Sequence, residues 1–152
     1  MEWLVTRENG TKVFSDYGHV ASSIELGFQA LKERFPGRKL IGIFQPHQIQ
    51  RILAWRKDFP NAMQPYDSFY IYDIYAAREN IEDFANEEIF KDFHLKTIED
   101  LGNCFAEHCH ATYLTTFEEI KKIIEKSDSD SIIAIYSAGD IDFKLRKYFE
   151  IV

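Results

Sequence analysis

The chain has 152 residues, 45% hydrophobic and 15% aromatic, enough apolar mass for one compact domain with its own core and far too much for a disordered segment. Its 25 acidic and 18 basic residues leave a formal net charge of -7 with no Lys/Arg cluster among aromatics to offset it. Most faces therefore repel a polyanion, and no nucleic-acid partner is expected, although a few placed cations can still hold a small phosphorylated ligand.

Residues 3–6 and 11–14 predict two short strands around the turn RENG. The period then changes, and Val20, Ile24, Phe28 and Leu31 fall on one face of a helix that runs to about Phe35 and is stopped by Pro36 and Gly37. Between strand and helix lies SDYGH, which puts an acid, a phenol and an imidazole into one tight turn. Asp16 reads there as the helix N-cap, with Gly18 making the turn, or as part of a loop that faces a ligand. LIGIF, residues 40–44, is a continuous apolar run of the kind buried on both faces of a parallel sheet.

After the loop QPHQIQ the pattern predicts a helix over about 50–62 and a strand over 68–75. A mixed segment, 76–110, holds an acidic stretch, ENIEDFANEE, that reads as a solvated face, and a helix over about 97–108. A short strand at 111–114, an amphipathic helix in TFEEIKKIIEK, a buried strand at 131–137 and a closing helix at 140–149 complete the chain. This alternation predicts an α/β sandwich with a mainly parallel sheet and right-handed crossovers.

Ligands in such folds collect outside the carboxyl ends of the strands. That rule puts SDYGH, QPHQIQR and SAGD on one rim, where Asp16, His19, His47, Arg51 and Asp140 can converge from separate loops. Bland readings stand beside this one. Both imidazoles suit loops bonded to backbone, Arg51 suits an exposed first turn, and Tyr70, Tyr72 and Tyr75 suit a core or sheet-surface stripe better than a stacking platform. CFAEHCHA, with Cys104, His108, Cys109 and His110, lacks a second ligand pair at zinc spacing, so reduced cysteines and no metal site are expected.

The chain contains no GxxxxGK[ST] loop, no GxGxxG and no GxSxG elbow, so triphosphate, dinucleotide and serine-hydrolase sites of the usual kinds are unsupported. No apolar run approaches the roughly 20 residues that cross a bilayer. MEWLVTRENG lacks the basic-then-apolar order of a signal peptide, so a cytoplasmic protein with no membrane partner is expected.

SDYGHVASSIE, LIGIFQPHQIQR, YIYDIYAARE and YSAGDIDFKLR, in this order and spacing, resemble the C-terminal domain of the Mur ligases. That family's pattern reads approximately DDYGHHP, then FQPHRYSR, then a strand with D-x-Y-x-A-x-E, then GAGD. The resemblance covers nearly the whole chain, and four ordered motifs are far more specific than any one of them. It implies a Rossmann-like three-layer sandwich with a short N-terminal antiparallel hairpin, residues 1–152 forming a single domain. In the family the first domain binds the UDP-sugar, the central one carries the P-loop for ATP, and the third closes over the site.

The implied function is the C-terminal part of an ATP-dependent peptidoglycan-precursor ligase that joins L-alanine to UDP-N-acetylmuramate through an acyl phosphate. ATP and Mg2+ would bind mainly to the central domain, and this chain would be inactive alone. Carried over by position, Asp16 matches the acid near the ATP ribose, and Tyr17, Gly18 and His19 match the turn on the amino-acid side. His47 and Arg51 match groups suited to orienting carboxylate and phosphate oxygens. Ala138, Gly139 and Asp140 match the GAGD loop, and Asp73, Tyr75, Ala77 and Glu79 match the D-x-Y-x-A-x-E strand. No residue is assigned as catalytic. Ser15, Val20, Ala21 and Gln48 depart from the family pattern, and the alternative is a free-standing binding or regulatory module that kept the fold without the reaction.

Overall fold

The computed structural model describes residues 1–151. In chain order the elements are β1 (Glu2–Thr6), β2 (Lys12–Asp16), α1 (Ala21–Arg34), β3 (Lys39–Gln45), α2 (Ile49–Trp55), α3 (Phe59–Met63), β4 (Ser68–Tyr72), a 3-10 turn (Ile81–Phe84), α4 (Glu88–Asp92), α5 (Ile98–His108), β5 (Thr112–Leu114), α6 (Phe117–Lys126), β6 (Ser131–Ser137) and α7 (Ile141–Tyr148). The strands form one six-stranded sheet in the order β1-β2-β6-β3-β4-β5. Among the described residues only the β1–β2 pair is antiparallel.

Alternation along the two central strands sorts the core into two layers. Leu40 and Phe44 of β3 and Ile132, Ala134 and Tyr136 of β6 join Ile24, Leu31, Ile49, Leu101 and Phe105 from α1, α2 and α5 on one face. Ile41 and Ile43 with Ile133 and Ile135 meet Ile120, Ile124 and Leu145 of α6 and α7 on the other. β3 and β6 are thus covered on both faces, which is why LIGIF and SIIAIYS read as unbroken apolar runs.

Local signals fix the ends of several elements. Capping boxes, Thr97 with Asp100 and Thr116 with Glu119, start α5 and α6. The predicted helix over 50–62 is two helices, because the chain turns at Arg56–Asp58 and restarts with Pro60 in the first turn of α3. β2 runs through Ser15 and Asp16, and β4 stops at Tyr72, before the predicted end at Tyr75. The acidic stretch is not only a solvated face, since Ile81 within it is buried in the core, Phe84 packs against the core, and the stretch forms the 3-10 turn and leads into α4.

Candidate functional site

The carboxyl ends of β2, β6, β3 and β4 lie side by side. The loops after β2 and β3 lead to helices on one face of the sheet and the loop after β6 leads to α7 on the other. Such a divergence opens a crevice at the strand ends.

In the turn after β2, Asp16 Oδ1 accepts a hydrogen bond from the Gly18 amide at 2.7 Å, and its other oxygen lies 2.8 Å from the amino group of Met1. Asp16 is therefore not the cap of α1; Val20 occupies that position and supplies no side-chain bond. Gly18 is required for closeness, since a Cβ there would lie 2.6 Å from Ser23 Cβ and 2.8 Å from Asp16 Oδ1. The turn leaves Tyr17 77% exposed, with the His19 ring edge-on to it at 6.2 Å. Asp16, Tyr17, Ser137 and Gly139 line one cleft of about 510 Å³, together with Asp142 and Arg146.

The turns after β3 and β4 are laced together. The Gln48 amide donates to Tyr75 O and the Tyr75 amide donates to Pro46 O, both at 2.9 Å, and the His47 ring stacks on the Tyr75 ring with centroids 5.6 Å apart. Tyr75 is thus half-exposed and stacked on an imidazole, outside the stripe formed by Tyr70 and Tyr72. Gln48 turns into α2 with φ 70, a left-handed conformation that costs a non-glycine residue about 1 kcal/mol. The Glu79 carboxylate accepts from the amides of Ile49 and Gln50, closing the first turn of α2.

His47 Nδ1 is buried without a partner. Burial, and then the charges of Arg51 and His19, hold the His47 pKa below its ordinary value of 6.5 against the opposing pull of Glu79. The ring is accordingly neutral at pH 7. Arg51 emerges from the first turn of α2 with its guanidinium carbon 6.0 Å from the Trp55 ring.

Gln45, 2% exposed, holds the loop after β6. Its Oε1 accepts from Ser137 Oγ at 2.8 Å and the Ile141 amide at 3.1 Å, while its Nε2 donates to Asp140 Oδ1 at 2.9 Å and Asp73 O at 3.4 Å. Gly139 passes so close that a Cβ would lie 2.8 Å from Gln45 Cδ and 3.0 Å from Tyr75 Cβ. Gly139, Tyr75 and His47 thereby form a continuous wall, and the loops after β6, β4 and β3 do converge. Asp140 turns away from that wall: its second oxygen pairs with Lys144 at 2.8 Å, and Lys144 donates to Tyr72 OH at 3.1 Å. Sequence reading passed over Gln45 because it closes an apolar strand; a lone amide at a strand's carboxyl end was the available signal.

Burial alone would raise the Asp140 pKa, but the bonds from Lys144 and Gln45 outweigh it and hold the carboxyl below its ordinary 3.8. A depressed folded-state pKa adds stability above the unfolded value, and that stability is lost as pH falls through the folded one. Asp140→Asn should flatten the loss of stability in this acid window, measured as the unfolding midpoint at a series of pH values. Ser15 is explained by a similar contact: its hydroxyl donates to Asp142 Oδ1 at 2.6 Å, where an aspartate would oppose a second carboxylate.

Burial pushes the Cys109 thiol up to about 12 and raises that of Cys104 as well, so both are protonated. Among the described residues no three His, Cys, Asp or Glu side chains approach closely enough to hold a metal ion, and no helix is long and apolar enough to cross a membrane.

No family model matches the chain. A UDP-N-acetylmuramate–L-alanine ligase of Alkaliphilus metalliredigens is 32% identical over 139 residues, 91% of this chain and 28% of that protein. The ligase of the same name from Lactobacillus acidophilus is 36% identical over 92 residues, 60% of this chain and 21% of that one. The crystal structure of a UDP-N-acetylmuramate–alanine ligase from Thermotoga maritima superposes on 94% of this chain with TM-score 0.58 and 26% identity. The chain is a relative of the Mur ligases. A murein peptide ligase from Psychrobacter arcticus shares the fold over 99% of the chain, with TM-score 0.66 and 16% identity. The chain spans less than a third of the length of these Mur ligases, 27% of the Thermotoga protein and 29% of the Psychrobacter one.

Proposed function

We propose that this chain is the C-terminal domain of an ATP-dependent ligase that joins L-alanine to UDP-N-acetylmuramate through an acyl phosphate. The observation that carries the reading is that the loops after β3, β4 and β6 converge on one wall, while Gly139 of that wall also lines the cleft beside the loop after β2, so that the four ordered motifs meet at one rim of the sheet. In this reading Arg51 orients the carboxylate of the incoming amino acid or the acyl phosphate. A guanidinium suits planar anions because its paired N–H groups match two oxygens at once. His47, neutral and stacked on Tyr75, shapes the wall beside it, and Tyr17, His19, Ala138 and Gly139 line the amino-acid side. Asp140, held by Gln45 and Lys144, fixes that last loop from behind.

Asp16 lines the 510 Å³ cleft, and a carboxylate there suits a ribose hydroxyl of ATP. The absence of a P-loop assigns the phosphates of ATP, and with them Mg2+, mainly to parts of the ligase outside this chain. Bound there, the metal would neutralise charge on the transferring phosphoryl group. On its own the chain should form no product.

The test is product formation by the longer protein that contains this domain, supplied with ATP, UDP-N-acetylmuramate and L-alanine. Arg51→Ala should lower kcat/KM for L-alanine by roughly 10- to 100-fold, the size of one lost charge-assisted bond. Turnover that survives both Arg51→Ala and His47→Ala unchanged would overturn the site assignment. A second reading, a free-standing module with the fold but not the reaction, is favoured by Gln48, which stands where the family pattern places an arginine. An immunoblot of source cells separates the two, since the ligase reading requires a band roughly three times the length of this chain, as the coverage of its relatives implies.

A further inference from the structure

The ligase reading gives Glu79 no role, yet its placement is unusual. α2 starts without a side-chain cap of its own, because Gln48 occupies the N-cap position with φ 70 and makes no such bond. Its leading amides would be unsatisfied. The carboxylate that satisfies two of them, Ile49 and Gln50, comes from the neighbouring loop after β4. The same two loops are joined by the reciprocal Gln48–Tyr75 and Tyr75–Pro46 backbone bonds and by the His47–Tyr75 stack.

We propose that Glu79 is a positioning residue, which locks the turn bearing His47 and Arg51 onto the loop after β4 and so fixes where both side chains stand in the crevice. The proposal deepens the ligase reading and rests on it only for what His47 and Arg51 meet. Three features favour it over a helix cap alone. The cap is supplied from a loop remote in sequence; it closes onto a turn already strained at Gln48; and the charges acting on His47 come from three separate segments, Arg51 on α2, His19 after β2 and Glu79 after β4, with the Tyr75 ring stacked on it. Of those charges Glu79 alone favours the imidazolium form.

The experiment is an NMR titration of the His47 ring in the ligand-free chain, wild type against Glu79→Gln and Glu79→Ala. Glutamine keeps a carbonyl acceptor for the Ile49 and Gln50 amides and loses the charge. Those amide resonances should stay near their wild-type positions while the His47 midpoint falls by about half a pH unit. Alanine loses both, so the two amides should move, and the Tyr75 and His47 ring resonances should move with them as the stack loosens. A mere cap would leave the Tyr75 and His47 ring resonances of the alanine variant where the glutamine variant has them, since the loss of charge is common to both, and that result overturns the proposal. Failure of the ligase reading is seen elsewhere, as absence of turnover by the longer protein.

Discussion

Gln45→Leu should destabilise the fold by roughly 2–4 kcal/mol, read as a lower urea midpoint at unchanged m. Leucine has nearly the volume of glutamine, so the loss comes from polar groups left behind. The buried Ile141 amide loses its acceptor, Ser137 Oγ loses the oxygen it donates to, and Asp140 keeps Lys144 but loses an N–H. Each buried group left unpaired costs about 1–3 kcal/mol, and partial rescue by water at the open rim keeps the sum below the maximum. Gln45→Glu separates the charge from the shape. At neutral pH it sets a carboxylate against Asp140, and its deficit should shrink on acidification as the new group takes a proton. A Gln45→Leu protein as stable as wild type would show that the loop after β6 is held by α7 packing instead.

Gly27→Ala should destabilise by about 1–2 kcal/mol, against the usual sign for a helix interior. Alanine is favoured over glycine there by about 1 kcal/mol, but overpacking a filled core costs about 1–3. A methyl group on Gly27 would overlap the hydroxyl of Tyr136, which is fully buried and lies 2.6 Å from the Tyr66 hydroxyl. The Tyr66 hydroxyl in turn donates to Ile24 O at 3.3 Å, so Tyr136 cannot simply swing aside. Removing the hydroxyl with Tyr136→Phe should restore most of the loss in the double variant. A thermodynamic cycle that shows the two changes to be additive would place the clash elsewhere.

The elements legible in the sequence were those with one dominant signal. β6 was read to its observed bounds because seven residues are buried in a row, and α6 was read from its amphipathic pattern, while the threonine caps that start α5 and α6 went unused. The break between α2 and α3 was missed because the apolar positions of both helices continue one face; Pro60, which cannot sit inside a continuous helix but suits the first turn of a new one, was the available signal. Asp16 illustrates a different limit. An acid ahead of a helix suggests a cap, but Ser-Asp-Tyr-Gly offers a nearer amide at Gly18, and the local turn wins. The rim loops were legible as loops; that Tyr75 would stack on His47, or that Glu79 would cap a helix from across the crevice, depends on contacts remote in sequence that no periodicity encodes.

The place of β6 in the sheet bears on how the molecule comes into being. The strand that joins β2 to β3 is the last of the six in chain order, and the β2–β6 and β3–β6 pairings both wait for it. Until residues 131–137 emerge, β2 and β3 each present an open edge of apolar backbone, the arrangement most apt to pair with another nascent chain. Assembly should therefore be slow for its size and all-or-none, with insertion of β6 between β2 and β3 as the committing step. A ribosome that stops short of Ser131 releases a chain whose two longest-ranging halves have nothing between them.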